Sequence, residues 1–429
     1  MALLLKSARV VCVSENIDEE LDVLIENDKI SEIAKNIDGT GHDAIDLSGK
    51  ILMPGFIDPH VHTRDPGLEL KEDLQTVGDS AINGGYTGIC SMPNTMPVVD
   101  SAVAVEYIKS VSEKVCKCNV YVCGSCTKGL KGEILSEMGD MVAHGARCFT
   151  DDGRGVQSAG MMRLVLEYAS MFDRVVMSHC QDESLVGKGQ VNEGCCSTRL
   201  GLAPWPAVGE EVQIARDIAL SRLTNCPVHI QHITTKRGLE LVRSAKKEGL
   251  SVSCEVTPHH LFLNEDDIKG NYNTYLKVNP PLRTKADCKS LIEGILDGTV
   301  DCIVTDHAPH SDWEKDCEFE LAAFGMVGLE TSLSLIYTNL VATGVISLTK
   351  MQELMSVNPS KLLRLTPNSI KVGKIADLTI FDPNKSWTVS KNDLHSKSKN
   401  SGFLGTKLCG KVSDVLVGGQ FRLRDYILC

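Results

Sequence analysis

What the 429 residues lack narrows the field first. No apolar run approaches the ~18 residues that a membrane-spanning helix needs. The apolar start is broken at Lys6, too early for the apolar core of a secretory signal. Basic residues are in deficit: Lys+Arg 44 against Asp+Glu 56 gives a net charge of −12. That argues against nucleic acid or an anionic membrane as partner, because both need a basic patch. No Gly-x-x-x-x-Gly-Lys-Ser/Thr and no Gly-x-Gly-x-x-Gly occurs, so nucleotide binding has no support. No Gly-x-Ser-x-Gly elbow occurs either, which leaves serine-hydrolase chemistry without its nucleophile. The 17 cysteines are odd in number and scattered, so a disulfide framework is not expected. Cys123 and Cys126, with no second pair nearby, read as buried thiols, as do Cys116, Cys118, Cys195 and Cys196. A cytoplasmic protein is the expectation.

What is present is ordinary globular material, 42% hydrophobic and 23% charged, enough for a large core. Residues 1–53 read as short strands and turns. From 54 to 365 the texture becomes strand, polar loop and helix, many times over. Eight buried-type strands are expected at 56–62, 86–92, 119–124, 146–150, 174–179, 227–232, 251–257 and 302–305. Eight β-then-α units in succession indicate an α/β fold, a (β/α)8 TIM-like barrel, with an open doubly wound sheet as the competing arrangement. Residues 366–429 return to β texture. The two chain ends are expected to pair into one small β-sandwich domain beside the barrel. Residues 391–401, rich in Lys and Ser, read as an exposed loop.

The sharpest local signal is Asp58-Pro-His60-Val-His62. Residues two apart in a strand share a face, so His60 and His62 can present two imidazoles to one metal. Asp151 and Asp152 end the fourth expected strand, His179 the fifth, His232 the sixth and Asp306 the eighth. Barrel enzymes build their sites at these strand ends, so residues far apart in sequence should converge. Nine of the twelve histidines (60, 62, 179, 229, 232, 259, 260, 307 and 310) lie at or beside such ends, more than core packing explains. Acids that end apolar strands call for a cation, and imidazole with carboxylate suits zinc.

These residues resemble the amidohydrolase superfamily, and within it the dihydroorotases of the bacterial type I class. The resemblance is carried by His62-Thr-Arg64-Asp-Pro-Gly67, Ser91-Met-Pro-Asn94-Thr95, Phe149-Thr-Asp151-Asp-Gly153 and His179-Cys-Gln-Asp182. Further along it rests on Thr257-Pro-His-His260, Val278-Asn279-Pro-Pro-Leu-Arg283, Thr305-Asp306-His307-Ala308-Pro309-His310 and Phe324-Gly-Met-Val-Gly-Leu-Glu-Thr331. It extends to Gly373-Lys-Ile-Ala-Asp377 in the last β segment.

The resemblance implies zinc, two per subunit, with a single-metal form as the alternative. His60, His62 and Asp306 would hold one ion, His179 and His232 the second. Asp151 would bridge them where many relatives use a carboxylated lysine. Asp306 would carry the proton during reversible hydrolysis of (S)-dihydroorotate to N-carbamoyl-L-aspartate in de novo pyrimidine (UMP) synthesis. Arg64, Asn94 and His310 would grip the substrate carboxylate. Asn279, Phe324 and Gly325 would meet its ring, while His259 and His260 support. Residues 311–323 are placed to close over the substrate, or to form a static connection. A homodimer and association with aspartate carbamoyltransferase are the partner arrangements it suggests. A hydantoinase, dihydropyrimidinase or allantoinase is the alternative activity, and a non-catalytic scaffold for that carbamoyltransferase the alternative class.

Overall fold

The protein is described here by a computed structural model covering residues 2–429. Eight parallel strands form its central sheet: β1 (Phe56–Val61), β2 (Tyr86–Ser91), β3 (Asn119–Gly124), β4 (Ala146–Phe149), β5 (Val175–Ser178), β6 (Val228–Ile230), β7 (Val252–Val256) and β8 (Cys302–Ile303). Each pairs with the next in chain order. A parallel bridge between Val61 and His307 brings the end of β8 back to β1 and curls the sheet into a (β/α)8 barrel. All eight strands stand where the hydrophobic runs lie, because parallel strands covered on both faces need near-continuous apolar sequence. In β2 even Thr87 and Ser91 are buried.

The helices form for equally local reasons. Asp73 caps the helix Leu74–Asn83 by accepting from Gln75 and Thr76, and Thr235 caps Lys236–Lys247 by accepting from Gly238. The second helix turns Leu239, Val242 and Ala245 inward, three residues apart, against the strands.

The chain ends share one nine-stranded sheet. Strand Ile51–Pro54, just before the barrel, pairs antiparallel with Leu378–Thr388 from beyond it. Leu3–Cys12 continues the sheet on one side and Lys407–Val417 on the other. The end sheet has its own core around Leu5, Val10, Leu52 and Leu378. Phe381, Val412 and Val415 instead join the core that holds Tyr86 and Leu333 of the barrel. The Thr379 hydroxyl donates to the Gly85 carbonyl at 2.7 Å across the same junction.

Two sequence expectations are corrected. Residues 391–401 are not simply an exposed loop, since Ser396, Ser398, Asn400 and Ser401 are buried. Their polar side chains are used inward: Ser396 donates to Glu72, Ser398 to the Lys71 carbonyl and Asn400 to the Gly325 carbonyl. Polarity signals hydrogen bonding, and here the partners are barrel loops instead of water. Likewise Cys195 is exposed, although most of the 17 free cysteines are buried.

The shared core predicts that the two domains unfold together. Phe381 is fully buried against Tyr337, with ring centroids 4.8 Å apart. Phe381→Ala should cost about 3–5 kcal/mol, read as one cooperative urea transition shifted to lower midpoint. Two separated transitions would show that the end sheet is an independent unit.

Candidate active site

The site lies where the C-terminal ends of the barrel strands meet. His60 and His62, on one face of β1 and its extension, have ring centroids 5.5 Å apart. Asp58 beneath them accepts from the His60 amide with one oxygen and the Thr305 amide with the other, both at 3.0 Å. This carboxylate ties β1 to the extension of β8 and so brings Asp306 to the histidines. Asp306 Oδ1 stands 3.1 Å from His62 Nε2 and 3.6 Å from His60 Nε2. From the other side come His179 and His232, whose Nδ1 and Nε2 atoms are 2.9 Å apart. Arg64, His232 and Asp306 all have positive φ (62°, 27° and 46°), a region that non-glycine residues enter at a cost. The strained backbone turns these side chains inward together.

The acid at the centre is Asp152, which corrects the expectation for Asp151. Asp152 Oδ1 lies 3.3 Å from His179 Nδ1, 3.5 Å from His60 Nε2 and 3.7 Å from His232 Nε2, while Oδ2 lies 3.4 Å from His62 Nε2. Asp151 points the other way, accepting from the Thr127 amide at 3.0 Å and from the Thr127 hydroxyl. Both acids lie just past β4, where the chain enters a turn at Asp152, and Thr127 on the neighbouring loop engages Asp151, which leaves Asp152 to enter the site. Sequence carried both as strand-end acids and could not say which side faced in.

The electrostatics ask for a cation. Burial by itself would raise Asp152, yet the imidazoles of His179, His232 and His60 beside it hold it well below the carboxylate range. Burial likewise opposes ionisation of Asp306, but His60 and His62 hold it well below its ordinary value. His60 would be lowered by burial; the charges of Glu255 and Asp306 and the nearby Asp152 carboxylate outweigh this and raise it well above its ordinary value. Its Nε2 is buried without a hydrogen-bond partner. Donor atoms of His60, Asp152 and His232, and of His60, His62 and Asp306, lie within 4.8 Å of one another. An orphaned imidazole nitrogen facing two ionised acids is the donor set of a metal centre.

Glu255 is a functional residue that the sequence reading did not single out. It is fully buried in β7, accepting from His60 Nδ1 at 2.6 Å and His229 Nε2 at 2.9 Å. Those two imidazoles offset the burial that would raise it and keep it at about 2. By holding the Nδ1 proton, Glu255 leaves His60 Nε2 free for a metal. Its signal was an acid inside an apolar strand. Asn94 acts similarly on His62, its Oδ1 accepting from Nδ1 at 2.9 Å.

A cavity of about 220 Å³ opens beside the cluster. Its lining includes His62, Asp152, His179, His232 and Asp306, and every expected substrate contact: Arg64, Asn94, Asn279, His310, Phe324 and Gly325. His310 Nε2 donates to the Phe324 carbonyl at 2.8 Å, and burial lowers this imidazole to about 4. Asn279 donates to Gln181 at 2.8 Å and keeps its Oδ1 without a partner. His260 donates from Nε2 to the Pro280 carbonyl at 2.9 Å and takes no place in the cluster.

Known proteins resemble the chain over most of its length. A family model described as dihydro-orotase-like matches residues 49–238. A dihydroorotase of Acetivibrio thermocellus is 46% identical, over 99% of this chain and 100% of its own. That of Trichlorobacter lovleyi is 45% identical over 98% and 99%. Among solved structures, an L-hydantoinase (dihydropyrimidinase) from Arthrobacter aurescens superposes with a TM-score of 0.89 at 26% identity, covering 100% of this chain and 97% of that one. Similarity of this depth across nearly every residue shows that the chain belongs to the dihydroorotase family.

Proposed function

We propose that this protein is a dihydroorotase that interconverts (S)-dihydroorotate and N-carbamoyl-L-aspartate in pyrimidine synthesis. One observation carries the substrate choice. Arg64 is only 8% exposed, yet its side chain donates to just the Pro309 carbonyl at 3.2 Å, with His310 Nε2, already committed to the Phe324 carbonyl, 3.3 Å away. A buried guanidinium held by neutral groups suits a substrate carboxylate, which it can meet with two parallel hydrogen bonds. A hydantoinase substrate without that carboxylate would leave it unmatched, although the fold is shared.

His60, His62 and Asp306 would hold one metal, and His179 and His232 a second, with Asp152 between them. Zinc, two per subunit, suits this imidazole and carboxylate set. The chemistry such metals supply when bound is polarisation of the scissile carbonyl and acidification of the attacking water. Asp306, ionised and beside His62, is placed to act as the proton carrier, and would take a proton from the attacking water and deliver it to the leaving ring nitrogen. Arg64 and His310 orient the ring carboxylate. Asn279 and the Phe324–Gly325 backbone hold the ring against the cluster. Asn94 and Glu255 keep His62 and His60 in the tautomers that face inward. The 17 free thiols suit a reducing cytoplasm. Light scattering of the chain alone, and mixed with aspartate carbamoyltransferase, tests the homodimer and the complex.

Three outcomes check this reading. The enzyme should prefer dihydroorotate to dihydrouracil by at least about a thousandfold in kcat/KM, from charge-assisted hydrogen bonds of roughly 1.5–3 kcal/mol each. Comparable values for the two would overturn the assignment. Arg64→Met should remove most of that preference while leaving the small dihydrouracil rate nearly unchanged; equal fractional loss on both would place Arg64 in metal support. Asp152→Asn should lower metal per chain after dialysis, measured by atomic emission, whereas Asp151→Asn should keep metal and lose thermal stability. The reverse pattern would return the bridge to Asp151.

A further inference from the structure

Phe324 and Gly325 sit on the segment that runs from the end of β8 to the helix Leu329–Ile336. This segment folds against residues 274–280, which carry Asn279. Two lysines lie between the two stretches, Lys277 at 1% exposure and Lys315 at 2%. All five of their side-chain hydrogen bonds go to backbone carbonyls. Lys315 Nζ donates to Thr274 at 3.1 Å, Lys277 at 3.3 Å and Ala323 at 2.6 Å. Lys277 Nζ donates to Phe319 at 2.8 Å and Glu320 at 3.0 Å, and lies 4.5 Å from the centre of the Phe324 ring. The Lys277 carbonyl also accepts from the Gly325 amide at 2.9 Å.

Burial disfavours both ammonium groups, lowering Lys277 to about 8 and Lys315 to about 7. An apolar side chain of similar length would fill the same space without that penalty. Filling space therefore does not explain two lysines. What an ammonium adds is three donors that can point in different directions, and Lys315 uses three. Those bonds gather carbonyls from both stretches around two points.

We propose that Lys277 and Lys315 are positioning residues, internal pins that hold the Phe324–Gly325 wall in register with Asn279 so that the substrate ring meets a preformed cavity. The inference rests on the reading that Phe324 and Gly325 face the substrate. It also answers the choice left open for residues 311–323: their C-terminal half is a pinned wall.

Lys277→Met and Lys315→Met keep the chain length and remove the donors. Each should lower kcat/KM for dihydroorotate by about 10- to 100-fold, carried by KM, with kcat changed by less than about threefold. Metal per chain should stay unchanged. Amide hydrogen exchange should accelerate within 315–325 and stay as it was in the barrel strands. Wild-type KM in either folded variant, or unchanged exchange in 315–325, overturns the proposal. A uniform rise in exchange shows a general stability role and also overturns it. Should the variants not fold, the wild-type enzyme is acetylated with acetic anhydride and read by mass spectrometry. Lys277 and Lys315 should label far more slowly than the exposed Lys285, and more slowly still with saturating N-carbamoyl-L-aspartate. Labelling of both at the Lys285 rate, or insensitivity to that ligand, counts against the pins. Lack of dihydroorotate turnover in the unmodified enzyme would fail the functional reading instead, while the exchange result would still judge the pins.

Discussion

The site depends on how the first and last barrel strands are joined. Asp58 accepts from the His60 amide and the Thr305 amide, and the His62 amide donates to the His307 carbonyl at 2.9 Å. These bonds fix the height of the His60–His62 pair relative to Asp306. Were the closure to slip by one residue, alternation would turn the histidines away from the acid. The carboxylate is fully buried, and burial pushes it up to about 7 despite the amides that favour its charge. A buried acid is tolerated at this junction because both of its oxygens are used.

Around that closure the protein assembles charges that no ordinary core would hold. Asp152, Asp306 and Glu255 converge on His60, and their mutual repulsion is relieved only by imidazolium or by metal. The outer partners set direction. Glu255 takes one nitrogen of His60, Asn94 one nitrogen of His62, and the remaining nitrogens face Asp306 and Asp152. The opposite wall is built on different physics, with backbone carbonyls gathered by Lys277 and Lys315 and Asn400 donating to the Gly325 carbonyl. Asn400 comes from beyond the barrel, so the end sheet is connected to the substrate wall as well as to the core.

Much of this was legible in the chain. The eight apolar runs marked the strands, because parallel strands covered on both faces need such runs. His60, His62, His179, His232 and Asp306 stood out as polar residues ending apolar runs. Asp152 was visible only as one of two adjacent acids, and choosing between them needs the turn beyond β4 and the Thr127 that engages Asp151. Glu255 was overlooked because attention went to strand ends, while it lies within β7 and works through His60. The buried part of 391–401 was misread because composition reports polarity and not whether the partner is water or protein.

The amino-acid sequence by itself determined the elements, their order and the chemical kinds of group at the strand ends, since periodicity and residue type are local properties. Its long motifs also carried the family. Tertiary structure alone decided which of two neighbouring carboxylates enters the site, which nitrogen each histidine offers, and that two lysines would be buried among carbonyls. Those choices are made by groups far apart in the chain, such as Glu255 on His60, 195 residues away, or Asn400 on Gly325, 75 away, whose hydrogen bonds exist only after the barrel closes.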